Sequence, residues 1–150
     1  MTSPVDATRS RLQRTPTWLL AQASIHAQRL LSARLAAADS RGYHYRLLAA
    51  LREFGPASQA ALGRHTSIDR SDVVAALDDL AQRGMVTRFP DPSDRRRNKV
   101  TITSPGIAQF ERLDRIVADV QNELLAPLSR AERQQLIRLL TRILERQTNN

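Results

Sequence analysis

Two short segments, MVTRF at 85–89 and KVTIT at 99–103, alternate apolar or β-branched residues with polar ones, while the other patterned segments of the chain step at helical spacing. A period of two is the mark of a strand with one face buried. The nine residues between them, PDPSDRRRN, are rich in turn formers and carry three consecutive arginines. They predict a β-hairpin with a polar, charged connection. An isolated hairpin is marginal in water, so its apolar face (Val86, Val100 and Ile102) must lie under helices. Exposed like charges repel, so the arginine cluster needs an anionic partner to be useful.

The helices are marked by their ends. TPTWLL gives Thr15 as N-cap and Pro16 at the first helical position, where its missing N–H is not needed. Leu20, Ala23, Ala27, Leu31 and Leu35 then recur at helical spacing to about Ala38. A second helix carries Tyr43, Leu47, Leu48 and Leu51 on one stripe, with Gly55 free to turn left-handed and Pro56 barring continuation. Ser58 caps a short helix to His65. After the turn TSID, Asp69 and Asp72 form a variant capping box for a helix that turns Val73, Leu77 and Leu80 inward and stops at Gly84. Helix, short turn, second helix and hairpin together predict a winged helix-turn-helix over residues 41–103.

Ser104-Pro105 opens another long helix, with Phe110, Leu113, Val117, Val120 and Leu124 spaced by threes and fours as a seam for a partner helix. Pro127 breaks it. Ser129 and Glu132 box the start of a last helix striped by Leu136, Leu140 and Ile143. The predicted organisation is a polar, flexible segment at 1–14, a dimerisation helix at 15–38, the winged domain, and dimerisation helices at 104–147. The fold class is mainly α with a small β-hairpin wing. The end helices have more apolar stripe than one small domain needs to bury. A second copy is the simplest cover; mutual cover within a monomeric bundle is the alternative.

Composition narrows the partners. The net charge is +8, carried by 22 arginines and a single lysine, Lys99. Arginine suits bidentate and stacking contacts to phosphates and bases, although a GC-rich genome would produce the same bias. There is no cysteine, which excludes disulfides, thiolate metal sites and a thiol switch. The first fifteen residues contain no apolar run and no segment approaches membrane-span length, so a cytoplasmic setting without membrane contact is expected. His26, His44 and His65 are dispersed, with no metal-binding spacing. No phosphate loop, nucleophile elbow or paired carboxylates occur; Asp78 and Asp79 are adjacent on a helix and point apart. Neither an enzyme, nor a metal, nor a cofactor is expected.

Residues 68–106, IDRSDVVAALDDLAQRGMVTRFPDPSDRRRNKVTITSPG, resemble the MarR family of transcriptional regulators. The matching pieces are a D-R-S helix start, a D-x-L-x-x-x-G helix end, a V-x-R strand, a D-P-x-D-R-R wing and a T-x-x-G start to the next helix, in the family's order. The resemblance extends over roughly residues 12–147. It implies a homodimer that binds pseudo-palindromic double-stranded DNA, usually as a repressor, and is released by a small phenolic or other amphipathic ligand.

Within that resemblance Asp94 holds the wing loop and Arg96 enters the minor groove, where a narrow groove focuses negative potential. Arg95 and Arg97 would meet phosphates. With Arg83, Arg88 and Lys99 these give residues 83–99 six basic groups against Asp91 and Asp94. The recognition helix presents Ser71, Ala75, Asp78 and Gln82 outward, with Asp72 and Val74 at the margins. Ser71 suits a base or phosphate, Val74 or Ala75 a thymine methyl, and Asp72 a cytosine amino group, though Asp72 serves equally as a helix cap. Residues 64–79 hold two arginines, Arg64 and Arg70, against four aspartates. The attraction for DNA must therefore come from the wing and from Arg64, Arg70 and Arg88. Trp18, His26, His44, Tyr45 and Arg46 fall where the family places its ligand pocket, and core packing is the competing role for each. Two further readings remain open: a winged-helix protein-interaction module, and a constitutive DNA binder without an effector.

Overall fold

The computed structural model describes residues 10–148. The order is α1 (Pro16–Ala36), α2 (Gly42–Phe54), β1 (Ala57–Ser58), α3 (Gln59–Thr66), α4 (Arg70–Gln82), β2 (Val86–Asp91), β3 (Asp94–Ile102), α5 (Ser104–Leu124) and α6 (Arg130–Thr148). The flexible segment expected at 1–14 lies outside the described residues as far as residue 9. Its last part is structured: Leu12–Arg14 form a 3-10 turn leading into α1.

The three strands form one antiparallel sheet in the order β1-β3-β2. The two-residue β1, which pairs Ala57 with Val100, is too short to leave a sequence pattern. The hairpin is longer than expected. Its strands run through the arginine segment and leave only Pro92-Ser93 as the turn, so Arg95, Arg96 and Arg97 lie along β3 rather than in a nine-residue loop. All three are exposed. A strand end solvated on both faces shows no apolar alternation, which is why the pattern stopped at Lys99.

The core is one cluster. Leu47, Leu48 and Leu51 of α2, Leu62 of α3, Val73, Leu77 and Leu80 of α4, Val86 and Val100 of the hairpin, Leu35 of α1 and Leu113 of α5 are all buried. Val86 and Val100 are the apolar underside predicted for the hairpin, with Ile102 packed at its margin. At α2 the stripe is shifted by one residue. Tyr43 is exposed and His44 is buried instead.

Several caps hold as predicted. Ser58 accepts from the Ala61 amide, and Ser129 and Glu132 exchange both bonds of a capping box. Others are positional only. Asp69 and Thr15 stand at N-caps without side-chain cap bonds, and the Thr15 hydroxyl donates back to the Arg11 carbonyl instead. Gly55 has φ 79° but ψ -166°, so the chain leaves α2 in an extended, positive-φ conformation rather than the left-handed helical one.

The end helices are poorly covered. Of the five apolar positions read along α1, only Leu35 is buried, and Leu20 is exposed together with Leu19 and Ile25. α6 buries no residue at all and exposes Ile137, Leu139, Ile143 and Leu144. Within the single chain these apolar faces of α1 and α6 do not cover each other.

Candidate nucleic-acid interface

The wing is shaped by two aspartates acting on the backbone. Asp91 Oδ1 accepts from both the amide (2.9 Å) and the hydroxyl (2.7 Å) of Ser93, closing the turn. The Ser93 amide, followed by its hydroxyl, holds the Asp91 carboxyl below its usual range. Asp94 Oδ1 accepts from the Arg96 amide at 3.0 Å, and its Oδ2 lies 3.7 Å from Arg97 Nε. Asp94 thus fixes the backbone from which Arg96 projects, and Arg96 itself has no ion-pair partner among the described residues.

Folding gathers basic groups that are far apart in the chain. Arg64 of α3, Arg70 at the start of α4, and Arg96 and Arg97 of β3 line one open cleft of about 650 Å³. Ala60, Gly63 and Ile68 add apolar lining, and Ser58, Gln59 and Asn98 complete it. Gln59 and Asn98 were not foreseen as site residues; a polar side chain at the first position of α3, facing the wing, was the available signal for Gln59. Beside the cleft, Ser71 and Ala75 of α4 are exposed and Asp72 and Val74 half-buried. Lys99 is half-buried at the base of the wing, opposite Ser58 and Phe89. Arg95 is exposed near the tip of β3, the central strand.

Arg88 differs from the other arginines. Its Nη1 lies 2.5 Å from Asp78 Oδ1, so it turns onto α4 rather than out to solvent.

Of the five residues expected to line a ligand pocket, His44, Tyr45 and Arg46 follow one another on α2, and Trp18 and His26 of α1 are not brought to them within the single chain. Trp18 precedes the core residue Leu35 by 17 helical positions, about 26 Å at 1.5 Å per residue. His26 is exposed on the same helix. Tyr45 is half-buried, stacked on Phe110, and donates its hydroxyl to Asp114 at 2.7 Å, joining α2 to α5. Burial and that hydrogen bond push its phenol up to about 12. Arg46 reaches the Thr66 carbonyl at the end of α3 and lies over the Tyr43 ring. A second cavity, of about 230 Å³ between α1 and α5, is lined by none of the five.

His44 is a structural group. Its Nδ1 accepts from the Arg41 amide at 3.1 Å, while Nε2 lies 2.9 Å from Asp79 Oδ2. The neutral Nε2–H tautomer satisfies both partners, whereas a second proton would face the Arg41 amide. Burial lowers the His44 pKa, and the opposing attraction of Asp79 does not restore it against Arg83 and Arg41. A base with a folded pKa below its unfolded 6.5 binds protons better when unfolded. Its stabilising contribution is complete above 6.5 and is lost as pH falls toward the lower folded value. Thermal melts between pH 8 and 5 are expected to show stability declining below about 6.5, with a flatter decline in His44→Gln.

Among the described residues no group of three or more histidines and carboxylates is arranged to hold a metal ion, and no helix is long and apolar enough to cross a membrane.

Known proteins share this fold. The model of the MarR family matches residues 40–97, the winged part of the chain. The HTH-type transcriptional repressor NicR of Pseudomonas putida is 30% identical over 102 residues, 68% of this chain and 65% of its own length. The chain spans about half to two thirds of the curated relatives it matches, 52% for another of them. A probable transcriptional regulator from Pseudomonas aeruginosa has the same fold with TM-score 0.80 at 30% identity, covering 89% of this chain and 99% of the other. A cysteine-to-serine variant of Escherichia coli MarR, solved in complex with operator DNA, superimposes with TM-score 0.76 at 28% identity, over 84% of this chain and 91% of that one. With the winged fold, its wing motif and full-length likeness to a regulator at this identity, the chain belongs to the MarR family.

Proposed function

We propose that this protein is a homodimeric transcriptional repressor that binds pseudo-palindromic double-stranded DNA. The observation that carries the reading is the cleft between α3, α4 and the wing, where Arg64, Arg70, Arg96 and Arg97 converge from three elements. A protein-interaction module has no use for that convergence. The likeness to a MarR solved with operator DNA supports the same surface. In this reading α4 enters the major groove, Arg96 the adjacent minor groove, and Arg64, Arg70, Arg95, Arg97 and Lys99 meet phosphates. The bare apolar surfaces of α1 and α6 support a dimer built through the end helices.

The test is fluorescence anisotropy with labelled DNA from upstream of the protein's own gene, against a scrambled duplex, at several salt concentrations. Sub-micromolar, sequence-dependent binding is expected, with a log–log salt slope of about -0.9 per phosphate contact. Weak, equal binding to both duplexes that moderate salt abolishes would overturn the reading. Sedimentation tests the dimer. Wild type is expected at twice the chain mass, and Ile137→Glu combined with Leu144→Glu at the single-chain mass.

Release by a small phenolic or amphipathic ligand extends the reading. It is supported by the Tyr45–Asp114 link, since a ligand hydroxyl would compete for the same carboxylate where the winged domain meets α5. Titrating phenols into the protein–DNA complex tests it, and unchanged anisotropy across the series would leave a constitutive binder.

A further inference from the structure

Arg88 is placed unlike any other basic residue of the wing. It sits on β2 opposite Val100, at the buried base of the hairpin. Its guanidinium reaches across to α4, where Nη1 meets Asp78 Oδ1 at 2.5 Å and Nη2 lies 3.5 Å from the Val74 carbonyl. The side chain is only 24% exposed, and Nε is buried without a hydrogen-bond partner among the described residues. A surface arginine ordinarily keeps its head in water. Here it gives up hydration, to the point of leaving one N–H unsatisfied, in order to stay on α4.

The base of the hairpin is anchored to α4 through the turn at 83–85, where the Met85 amide donates to the Leu80 carbonyl, and through Val86 and Val100 in the shared core. The Arg88 contact adds a polar tie two residues farther toward the tip than Val86, where the angle of the outer wing is set. Val74 and Asp78 are one helical turn apart on the same edge of α4, so Arg88 grips that edge at two heights.

We propose that Arg88 and Asp78 form a strut that sets the angle of the wing against α4, making Arg88 a positioning residue for sequence discrimination rather than a phosphate contact. This rests on the DNA-binding reading above. If α4 and Arg96 enter neighbouring grooves together, the angle between them must match the duplex, and a wing free to rock would still meet phosphates but with less selectivity.

The strut and simple electrostatics predict opposite signs for Asp78. Asp78 is 60% exposed on the outer side of α4, so removing its charge should strengthen attraction to any DNA. Loss of the strut should weaken binding to the correct sequence. The experiment measures wild type, Asp78→Asn and Arg88→Met on upstream and scrambled duplexes across salt concentrations, with amide hydrogen exchange of β2 and β3 in the DNA-free protein. For Asp78→Asn, the upstream-to-scrambled affinity ratio is expected to fall about tenfold, within the usual range for coupled pairs, while scrambled binding holds or tightens. Arg88→Met should lower the ratio similarly without changing the salt slope, and both variants should exchange faster along the hairpin.

Equal tightening on both duplexes in Asp78→Asn would overturn the proposal. So would a salt slope shallower by about 0.9 in Arg88→Met, which is the loss of one phosphate contact. Unchanged hairpin exchange would overturn it whatever the DNA results show. If wild type fails to distinguish the duplexes, the regulator reading falls by itself, and the exchange data still decide whether the strut exists.

Discussion

Replacing Gly106 with alanine is expected to destabilise the fold by about 3 kcal/mol, at the upper end of overpacking substitutions, and to lower the melting temperature by roughly 10 °C. The reason lies in how the hairpin is tied off. The Met85 carbonyl, at the hairpin's entrance, accepts from the Thr103 amide at its exit. The Thr103 hydroxyl donates to the Gly84 carbonyl at 2.6 Å and accepts from the Gly106 amide at 3.1 Å. This lays the first turn of α5 directly on the backbone of residue 85. A Cβ on Gly106 would stand 2.0 Å from the Met85 carbonyl oxygen and 2.8 Å from Ile102 Cγ1. The obstacle is backbone, not the movable end of a side chain, so α5 or the hairpin must shift. Gly42, at the start of α2, has open space around the same added atom. Gly42→Ala is therefore the control, expected to leave stability unchanged or raise it by up to about 1 kcal/mol. Urea unfolding of the two variants beside wild type measures both.

That tie also explains why the T-x-x-G element was so informative in the sequence. It is one hydrogen-bonded knot with a forced glycine, and such constraints survive in a motif because few residue types satisfy them. The helix-turn-helix was legible for a related reason: Ser58, Val73, Leu77, Leu80 and Gly84 each have a strong local role that agrees with the fold. The outer wing was not. Arg95, Arg96 and Arg97 are solvated on both faces, so nothing distinguishes a strand there from a loop except pairing with β2. His44 was misplaced because Tyr43 competed for the same stripe. His44 stands four residues before Leu48 and seven before Leu51, a spacing that fits the buried face, and hydrophobicity alone assigned the position to the tyrosine. The ligand-pocket residues rest on the family resemblance rather than on any spacing in the chain, and within the single chain Trp18 and His26 of α1 lie apart from His44, Tyr45 and Arg46 of α2.

The basic cleft shows the same boundary between local and tertiary information. The charge excess over residues 83–99 was visible as a number, but its meeting with Arg64 and Arg70 depends on β3 crossing beside α3, and β1 is the contact that places it there. The acidic balance of residues 64–79 looked unfavourable for DNA. In the fold two of those carboxylates are already engaged: Asp78 with Arg88, and Asp79 with His44 and Arg83. The face of α4 is consequently less repulsive than its sequence suggests, and the Arg88–Asp78 pair is part of the reason.

Arg96→Ala is expected to weaken binding to the upstream duplex at least tenfold, about 1.4 kcal/mol or more, without altering dimerisation or thermal stability. An exposed arginine without a partner contributes little to the fold, so the whole effect should fall on DNA. Its backbone is held before DNA arrives, because Asp94 accepts from the Arg96 amide, and this limits the entropy lost on binding. Arg95→Ala provides the contrast. If Arg95 meets only phosphate, its loss should weaken both duplexes alike and reduce the salt slope by about 0.9. Arg96→Ala should act more strongly on the upstream duplex, because a narrow minor groove is a property of sequence. Asp94→Ala sharpens the point: it removes a negative charge from the wing, yet should weaken specific binding by freeing the Arg96 backbone. Unchanged affinity in Arg96→Ala would remove Arg96 from the groove, and equal losses for Arg95→Ala and Arg96→Ala on both duplexes would reduce the wing to a patch of charge.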